Sequence, residues 1–331
     1  MIPRRPGRAA FGENGVPPSA SESMHPSLLD HARATLAMLL IAVNTIVWTT
    51  LLLAFAVIKL VLPLAAIRRR IDPILNAIAT AWIACNGGIL RATSRREWDV
   101  QGTGDLARDG WYLVLCNHQS WADILVLQQV LSRRVPMLKF FLKQQLIYVP
   151  VIGLAWWALD FPFMRRHGKT ALARNPGLRQ QDREATRRAC ERFRLVPTSV
   201  MSFPEGTRFT PAKQATQSAP YRHLLRPKAG ALAMSVEAMG RQFQSALDVT
   251  IVYPGGAPTF WQFLCGGADR VVVRVDQRAI PADFCDGDYA GDNAFRQRFH
   301  AWLEQIWRDK DAKIDALLGT PPARAADARA A

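Results

Sequence analysis

Residues 111–131, WYLVLCNHQSWADILVLQQVL, contain the change of pattern that decides the fold. The first six residues form an apolar run typical of a buried strand, and residues 121–131 have the periodicity of a helix. The polar stretch between them therefore lies where a strand ends and a helix begins. In α/β proteins, ligands bind at such ends of strands.

The same alternation of strand and helix continues between Arg91 and about Leu318, which predicts an α/β sheet covered by helices. The predicted strands are Trp98–Gln101, Trp111–Cys116, Ser199–Phe203, Asp248–Tyr253 and Arg270–Asp276. The predicted helices are Trp121–Leu131, Lys139–Tyr148, Asp182–Arg194, Ala229–Met239 and Asn293–Leu317. We assign residues 91–318 to this domain and expect disordered tails over residues 1–32 and 319–331, where Pro, Gly, Ser and Ala dominate.

The composition limits the classes of protein. The chain has 331 residues, of which 49% are hydrophobic, so most of it should form a core. Its net charge of +15 favours a polyanionic partner, such as a nucleic acid, an anionic membrane surface or a phosphorylated ligand. The five cysteines include no C-x-x-C pair, which argues against a disulfide framework and a zinc site and favours a reducing compartment.

A long uncharged segment, Ala34–Ile58, precedes the domain. As a helix it would measure about 37 Å, against a hydrocarbon core of roughly 30 Å. Apolar character resumes over Leu60–Ile67, and Pro63 lies within that stretch. The excess length is compatible with a single crossing and with a hairpin that dips into one leaflet. We therefore predict a membrane-embedded segment over residues 33–90.

The second half of this segment, Ile71–Leu90, is amphipathic, with one apolar stripe at helical spacing. The stripe is compatible with a helix that covers the domain and with one in the headgroup layer. Arginines are dense after the long apolar run: Arg68, Arg69, Arg70, Arg91, Arg95 and Arg96. This asymmetry predicts that the α/β domain lies on the cytoplasmic side of the membrane, which is the inner membrane if the protein is bacterial.

The first chemical motif is Asn117-His118-Gln119-Ser120-Trp121-Ala122-Asp123, directly after the strand. Histidine is suited to general-base catalysis near neutral pH. A carboxylate five residues later, in the first turn of the helix, can orient the imidazole and stabilise its charged form. The structural alternative is that Asp123 or Ser120 caps the helix and His118 fills a loop.

The second motif is Phe203-Pro204-Glu205-Gly206-Thr207-Arg208, directly after another strand. The glycine permits a bend and close approach of a ligand, and the arginine offers a planar fork of donors that matches phosphate. The alternative is a surface turn with an exposed arginine. Two weaker motifs are FPFMRR at 161–166, which could be a basic edge, and DVTIVYP at 248–254, which is typical of a buried strand.

The segments N-H-Q-S-W-A-D, F-M-R-R, F-P-E-G-T-R and V-T-I-V-Y-P, in this order, resemble the four blocks of the glycerolipid acyltransferases, whose prototype is 1-acyl-sn-glycerol-3-phosphate acyltransferase. Details at Phe140–Lys143 and Arg226–Gly230 resemble the branch with lysocardiolipin acyltransferases and their bacterial relatives. The resemblance covers roughly residues 90–280. It implies an α/β fold with a mixed sheet flanked by helices, preceded by the membrane-embedded helical segment.

The resemblance implies a role for each matching residue. His118 would be the general base and Asp123 its orienting partner. The acceptor site would comprise Arg166, Glu205, Gly206, Thr207 and Arg208, with Arg208 on the phosphate. Because Arg165 stands where the family pattern has another residue type, Arg165 and Arg166 are both candidates for the phosphate ligand. Asn117 and Ser120 are further candidates, Ser120 as an alternative nucleophile.

The implied reaction is acyl transfer from a thioester, acyl-CoA or acyl carrier protein, to a lysophospholipid hydroxyl. The expected partners are these substrates, membrane lipids and acyl carrier protein. We expect no cofactor and no metal. The sequence has no G-x-S-x-G elbow, which disfavours a serine hydrolase. The alternative is a membrane-tethered protein that binds nucleic acid or anionic lipid without catalysis, although no nucleic-acid motif is present and we expect no nucleic-acid partner.

Overall fold

The computed structural model describes residues 26–62, 64–164 and 196–319, together with separate positions between 177 and 194. The predicted tails therefore lie outside the described residues over 1–25 and 320–331. The first boundary needs correction, because residues 28–32 are helical. Ser27 and Asp30 form a capping box, in which each side chain accepts a hydrogen bond from the other residue's backbone N–H (3.2 and 3.0 Å). Such a box satisfies free N–H groups and starts the helix here.

Two long helices open the fold, α1 (Leu28–Val61) and α2 (Ala65–Thr93). Both are long and apolar enough, by length and composition, to cross a membrane. The apolar run that the sequence presents as one segment is thus divided between two packed helices. Asn44 fixes their register, because its side-chain amide donates to the Trp82 carbonyl (3.2 Å) and to Asn86 Oδ1 (2.8 Å).

The centre of the domain is a six-stranded sheet in the order β1-β8-β7-β2-β6-β3. Its strands are β1 (Glu97–Gln101), β2 (Tyr112–Cys116), β3 (Leu138–Phe140), β6 (Ser199–Ser202), β7 (Ser245–Val252) and β8 (Arg270–Arg278). Only the β7–β8 pair among these is antiparallel, so the sheet is mixed, as predicted. A separate pair joins β4 (Leu142–Lys143) to β5 (Phe163–Met164). Every residue of β2 and of β7 is buried, which agrees with their apolar runs.

Helices cover both faces of the sheet. Further helices are α3 (Asp123–Leu131), α4 (Ile152–Ala158), α5 (Pro211–Gln217), α6 (Gly230–Met239), α7 (Phe260–Leu264) and α8 (Asn293–Gly319). One apolar core joins the sheet to α3, α7 and parts of α1 and α2, and a second joins the opposite face to α6 and α8. Flanking helices on a mixed sheet confirm the predicted fold class.

One charged side chain is buried between the last helix and the sheet. Lys310 of α8 is fully buried, and its ammonium pairs with Asp248 at 2.7 Å. It also donates to the carbonyls of Leu115 on β2 (3.4 Å) and Val249 on β7. Since Leu115 lies near the end of β2 and Val249 pairs with Cys116, Lys310 connects the last helix to the part of the sheet that carries the first motif.

Helix α1 contacts the α/β domain at both of its ends. Near its start, the His31 ring stacks on Trp261 of α7, with 6.1 Å between ring centroids. Near its end, Lys59 pairs with Asp160, which follows α4, and with Asp72 of α2 at 2.8 Å. These two contacts are about 42 Å apart at roughly 1.5 Å per residue. The helix therefore lies along the domain.

One predicted helix is wrong. Residues 139–148 divide into β3, β4 and a 3₁₀ helix, Gln144–Tyr148. The reason is tertiary, because Leu138–Phe140 pairs in parallel with β6 and Leu142 pairs with Phe163. Short apolar runs do not distinguish helix from strand by periodicity, and an open sheet edge decides between them. Six positions of the predicted helix 182–194 lie outside the described residues, and six of the seven described positions are helical.

Candidate active site

Asn117, directly before the histidine, connects the end of β2 to the neighbouring strand β7. The Asn117 side chain donates to the Ile251 carbonyl (2.8 Å) and accepts from the Ile251 N–H (2.9 Å), so it extends the β2–β7 pairing by one residue. Asn117 is fully buried. The structure therefore gives this candidate residue a bridging position that fixes where the next residue leaves the sheet.

His118 and Asp123 form the pair that the sequence predicts. Nδ1 of His118 lies 2.9 Å from Oδ2 of Asp123. Because an ionised carboxylate only accepts, this contact assigns the hydrogen to Nδ1 and leaves the lone pair on Nε2. None of the described residues hydrogen bonds to Nε2. The imidazole stacks on Phe203 at 4.1 Å between centroids, and its side chain is 12% exposed, so it is oriented and still reachable.

Asp123 is held by more donors than sequence spacing indicates. Its Oδ2 also accepts the backbone N–H groups of Gln119 (2.7 Å) and Ser120 (2.8 Å), and its Oδ1 accepts the Tyr253 hydroxyl (2.7 Å). Burial and the adjacent Asp123 charge raise the pKa of Tyr253 well above its ordinary value, so this phenol stays a donor. Tyr253 is a site residue that the sequence reasoning assigned to a buried strand; its signals were its place at the end of that strand and within the V-T-I-V-Y-P motif.

Glu205, in the second motif, is hydrogen bonded to the backbone of the first. Its Oε1 accepts the backbone N–H of His118 (2.9 Å) and its Oε2 accepts that of Leu225 (3.0 Å). The residue is 0% exposed, and burial raises the pKa of its carboxyl group to about 7, against the lowering effect of these two hydrogen bonds. Its carboxyl group thus accepts hydrogen bonds from the main chain around the site, whereas the sequence reasoning assigned Glu205 to the acceptor site.

The residues after Glu205 face outward. Gly206 has φ +71°, which favours glycine, and a Cβ there would come within 3.1 Å of Lys228 Nζ. The Thr207 hydroxyl accepts from Lys213 Nζ at 2.9 Å. Arg208 is exposed, and its guanidinium lies 5.0 Å from the centre of the Trp121 ring. No carboxylate among the described residues pairs with it, so its donors are available to an anion.

The loop of Arg208 is tied to the loop of the histidine, because the Phe209 N–H donates to the His118 carbonyl at 2.7 Å. The structure thus brings His118, Asp123, Gly206, Thr207 and Arg208 together at the ends of β2 and β6. Arg165 and Arg166 lie outside the described residues, directly after β5.

Ser120 does not have the geometry of a nucleophile. Its hydroxyl donates to the Pro258 carbonyl at 2.5 Å and accepts the Ala122 N–H at 3.0 Å, and the residue is 2% exposed. Both interactions fix the loop that carries Asp123. In the part of the chain that the structure describes, no group of three or more His, Cys, Asp or Glu side chains is placed to hold a metal ion.

A mixed α/β sheet with an oriented His–Asp pair at one strand end and an arginine loop at the next is the architecture expected of the glycerolipid acyltransferases. Residues 97–254 match the family model described as Acyltransferase, and this range contains the pair, the arginine loop and Tyr253. The domain over residues 97–254 therefore belongs to the acyltransferase family, as its motifs predict.

Similar proteins agree with this assignment. The mouse protein 1-acyl-sn-glycerol-3-phosphate acyltransferase delta is 26% identical over 217 residues, which are 60% of this chain and 51% of that protein. Zebrafish lysocardiolipin acyltransferase 1 is 22% identical over 265 residues, 76% of this chain and 63% of that protein. The chain thus spans about half the length of the first of these curated relatives.

The fold is also that of a solved structure. The 1-acyl-sn-glycerophosphate acyltransferase PlsC of Thermotoga maritima superposes with a TM-score of 0.51 at 16% sequence identity, covering 89% of this chain and all (100%) of that one. At this identity the similarity concerns the fold alone.

Proposed function

We propose that the protein is a membrane-bound acyltransferase that moves a fatty acyl group from a thioester to a hydroxyl of a lysophospholipid. The acceptor is 1-acyl-sn-glycerol-3-phosphate, giving phosphatidate, or a related lysophospholipid. The observation that carries the proposal is the His118–Asp123 pair, beside an arginine; among the described residues, nothing hydrogen bonds to Nε2 of the histidine and no carboxylate pairs with the arginine. The names of the mouse and zebrafish relatives, both acyltransferases that act on lysophospholipids, support the choice of acceptor.

In the proposed reaction, Nε2 of His118 takes the proton of the acceptor hydroxyl as its oxygen attacks the thioester carbonyl carbon. The C–S bond then breaks, and the leaving thiolate receives the proton from the imidazolium. Asp123 stabilises the imidazolium while the charge is present. General-base assistance of this kind contributes about 10²–10⁴-fold to the rate. The transfer needs no covalent enzyme intermediate, no metal and no cofactor, and acyl-CoA or acyl carrier protein supplies the acyl group as co-substrate.

The acceptor's phosphate is assigned to Arg208, with Arg166 or Arg165 as a second ligand. A guanidinium without a carboxylate partner loses no ion pair when a phosphate arrives, and its fork matches two phosphate oxygens. The cation–π contact of Arg208 with Trp121 holds this charge beside the loop that connects His118 to α3. The phosphate and the reacting hydroxyl would therefore bind to neighbouring loops, as a glycerol phosphate requires.

The length and apolar composition of α1 and α2 support the proposed membrane location. Because both ends of α1 contact the same α/β domain, a crossing of the bilayer by α1 would force that domain into the hydrocarbon. We propose that the helical pair lies in one leaflet, with the domain on the cytoplasmic side, at the inner membrane in a bacterium. The active site would then take up lipid substrates without extracting them into water.

The test is acyl transfer by the purified protein in phospholipid vesicles, with 1-acyl-sn-glycerol-3-phosphate and acyl-CoA. His118→Ala should lower kcat by about 10²–10⁴-fold, the contribution of a general base. His300→Ala is the matched control, since this histidine lies on α8 and bonds the Tyr289 hydroxyl at 2.9 Å. A His118→Ala protein that keeps its kcat would remove the mechanism. A wild-type protein that binds the lipid without transfer to any lysophospholipid would favour the noncatalytic alternative.

A further inference from the structure

A second exposed apolar surface lies beside the helical pair, on the segment that connects β4 to β5. We name it the α4 surface, and it consists of Tyr148, Val149, Val151, Leu154 and Trp157. Their exposed fractions range from 36% for Val151 to 80% for Tyr148. Five large apolar side chains within ten residues are unusual on a surface that faces water, and such patches mark interaction sites.

The fold requires one side of α4 to be buried and leaves the other side open. Ala158 and Leu159 pack into the core that they share with Leu52 and Ala56 of α1, and Ala155 is buried as well. Leu154 and Trp157, one turn apart, lie off that packed side and stay exposed. The open side is therefore not a consequence of poor packing, because the same helix has a well-buried face.

The α4 surface is continuous with the apolar exterior of α1. Trp157 and Leu60, near the end of α1, line one cavity of about 540 Å³ together with Arg68 of α2. Leu60, Val61, Leu62 and Leu64, at the turn between α1 and α2, are themselves between 45% and 68% exposed. The two apolar surfaces thus meet at the tip of the helical pair.

The surroundings of this junction are basic. Arg68, Arg69 and Arg70 are exposed at the start of α2, and Lys143 is exposed shortly before the α4 surface. Basic side chains beside an apolar surface are attracted to anionic lipid headgroups. Tyrosine and tryptophan favour the boundary between headgroups and acyl chains, because one end of each ring system is polar.

From this continuity and charge we propose that the α4 surface inserts into the headgroup region of an anionic phospholipid bilayer, as a second membrane contact of the domain. It would fix the rotation of the domain about the helical pair, since contacts at two places determine an orientation that α1 alone leaves free. The inference rests on the membrane association proposed above, which the experiment measures separately.

The experiment places an environment-sensitive NBD fluorophore on single cysteines in the full-length protein, reconstituted into phosphatidylcholine–phosphatidylglycerol vesicles. Cys85 and Cys285, which are not buried, are first replaced by serine. The test positions are Leu154→Cys and Tyr148→Cys. Val43→Cys on the exposed side of α1 reports the membrane association itself, and Ala301→Cys on α8 is the control on the opposite face of the sheet. Circular dichroism and thermal unfolding verify that each labelled protein is folded.

Lipids with a nitroxide near the top of the acyl chain then quench labels that contact the bilayer. We expect the labels at 148 and 154 to show blue-shifted emission and a loss of fluorescence similar to that at 43, and the label at 301 to remain green and unquenched. Green, unquenched emission at 148 and 154 beside quenching at 43 would overturn the second contact and leave the membrane association intact. Blue-shifted but unquenched emission would assign the α4 surface to a second protein copy and would equally overturn the proposal. Absence of quenching at 43 would refute the membrane association on which it rests.

Discussion

Replacing Asp123 with asparagine removes the negative charge beside His118, and the structure predicts which way the new amide will point. Two backbone N–H groups, of Gln119 and Ser120, donate to Oδ2, the same oxygen that accepts from His118 Nδ1. An amide nitrogen at that position would face three donors. The oxygen of the asparagine should therefore take the Oδ2 position, with its NH₂ toward the Tyr253 hydroxyl, which can rotate to accept.

This orientation keeps the hydrogen on Nδ1 of His118 and the lone pair on Nε2, so the imidazole retains the tautomer that a general base needs. What is lost is the charge that stabilises the imidazolium in the transition state. A hydrogen bond to a charged group contributes about 1.5–3 kcal/mol, which corresponds to a decrease in kcat of about 10- to 150-fold. An inverted tautomer would instead cost about 10⁴-fold.

The assay is initial-rate thiol release from acyl-CoA with the lysophospholipid acceptor in vesicles, at saturating concentrations of both substrates. The control is Asp109→Asn, which removes an exposed carboxylate from the loop before β2 and should leave kcat unchanged. A loss of about 10⁴-fold in Asp123→Asn would refute the argument that the backbone donors set the amide orientation. Wild-type kcat would show that the charge of Asp123 does not contribute to the transition state.

Three further predictions concern the acceptor loop and the buried charges. Arg208→Ala should raise the KM for the acceptor by about 10- to 150-fold and spare that for the thioester, with partial rescue by Arg208→Lys; a selective effect on the donor KM would assign the phosphate to the other substrate. Because the folded-state pKa of Glu205, about 7, lies above the ordinary pKa of 4.5 for a glutamate, its contribution to stability is fully present below pH 4.5 and is lost as pH rises to 7. The stability of wild type relative to Glu205→Gln should thus fall by up to about 3 kcal/mol over this range in denaturant unfolding, and parallel pH profiles would contradict it. Lys310→Met leaves the buried Asp248 carboxylate and two strand carbonyls without this cation and should lower the free energy of unfolding by about 3 kcal/mol. The control Lys313→Met, at a partly exposed ion pair, should lower it by at most about 1 kcal/mol. Equal losses in the two variants would argue against a special role for burial.

Short-range information in the sequence was sufficient for much of the fold and for the central pair of the site. The strand Tyr112–Cys116 and the helix from Asp123 follow from hydrophobic runs and periodicity, which act over a few residues. The His118–Asp123 contact spans only five residues, so the turn between strand and helix fixes it once both elements form. The four motifs that resemble one family are also short, so each can be recognised from a few consecutive residues.

Contacts between distant parts of the chain were decided by the tertiary structure alone. Tyr253 reaches Asp123 across 130 positions because β7 lies beside β2, and no property of the residues near Tyr253 specifies that order of strands. Glu205 reaches the His118 backbone because β6 lies beside β2. Lys310, on the last helix, donates to a carbonyl of β7. The predicted helix over residues 139–148 failed for the same reason, since the open edge of β6 supplies hydrogen bonds that local propensity does not describe. Sequence patterns encode what a segment prefers on its own, and strand order determines which of those segments share a site.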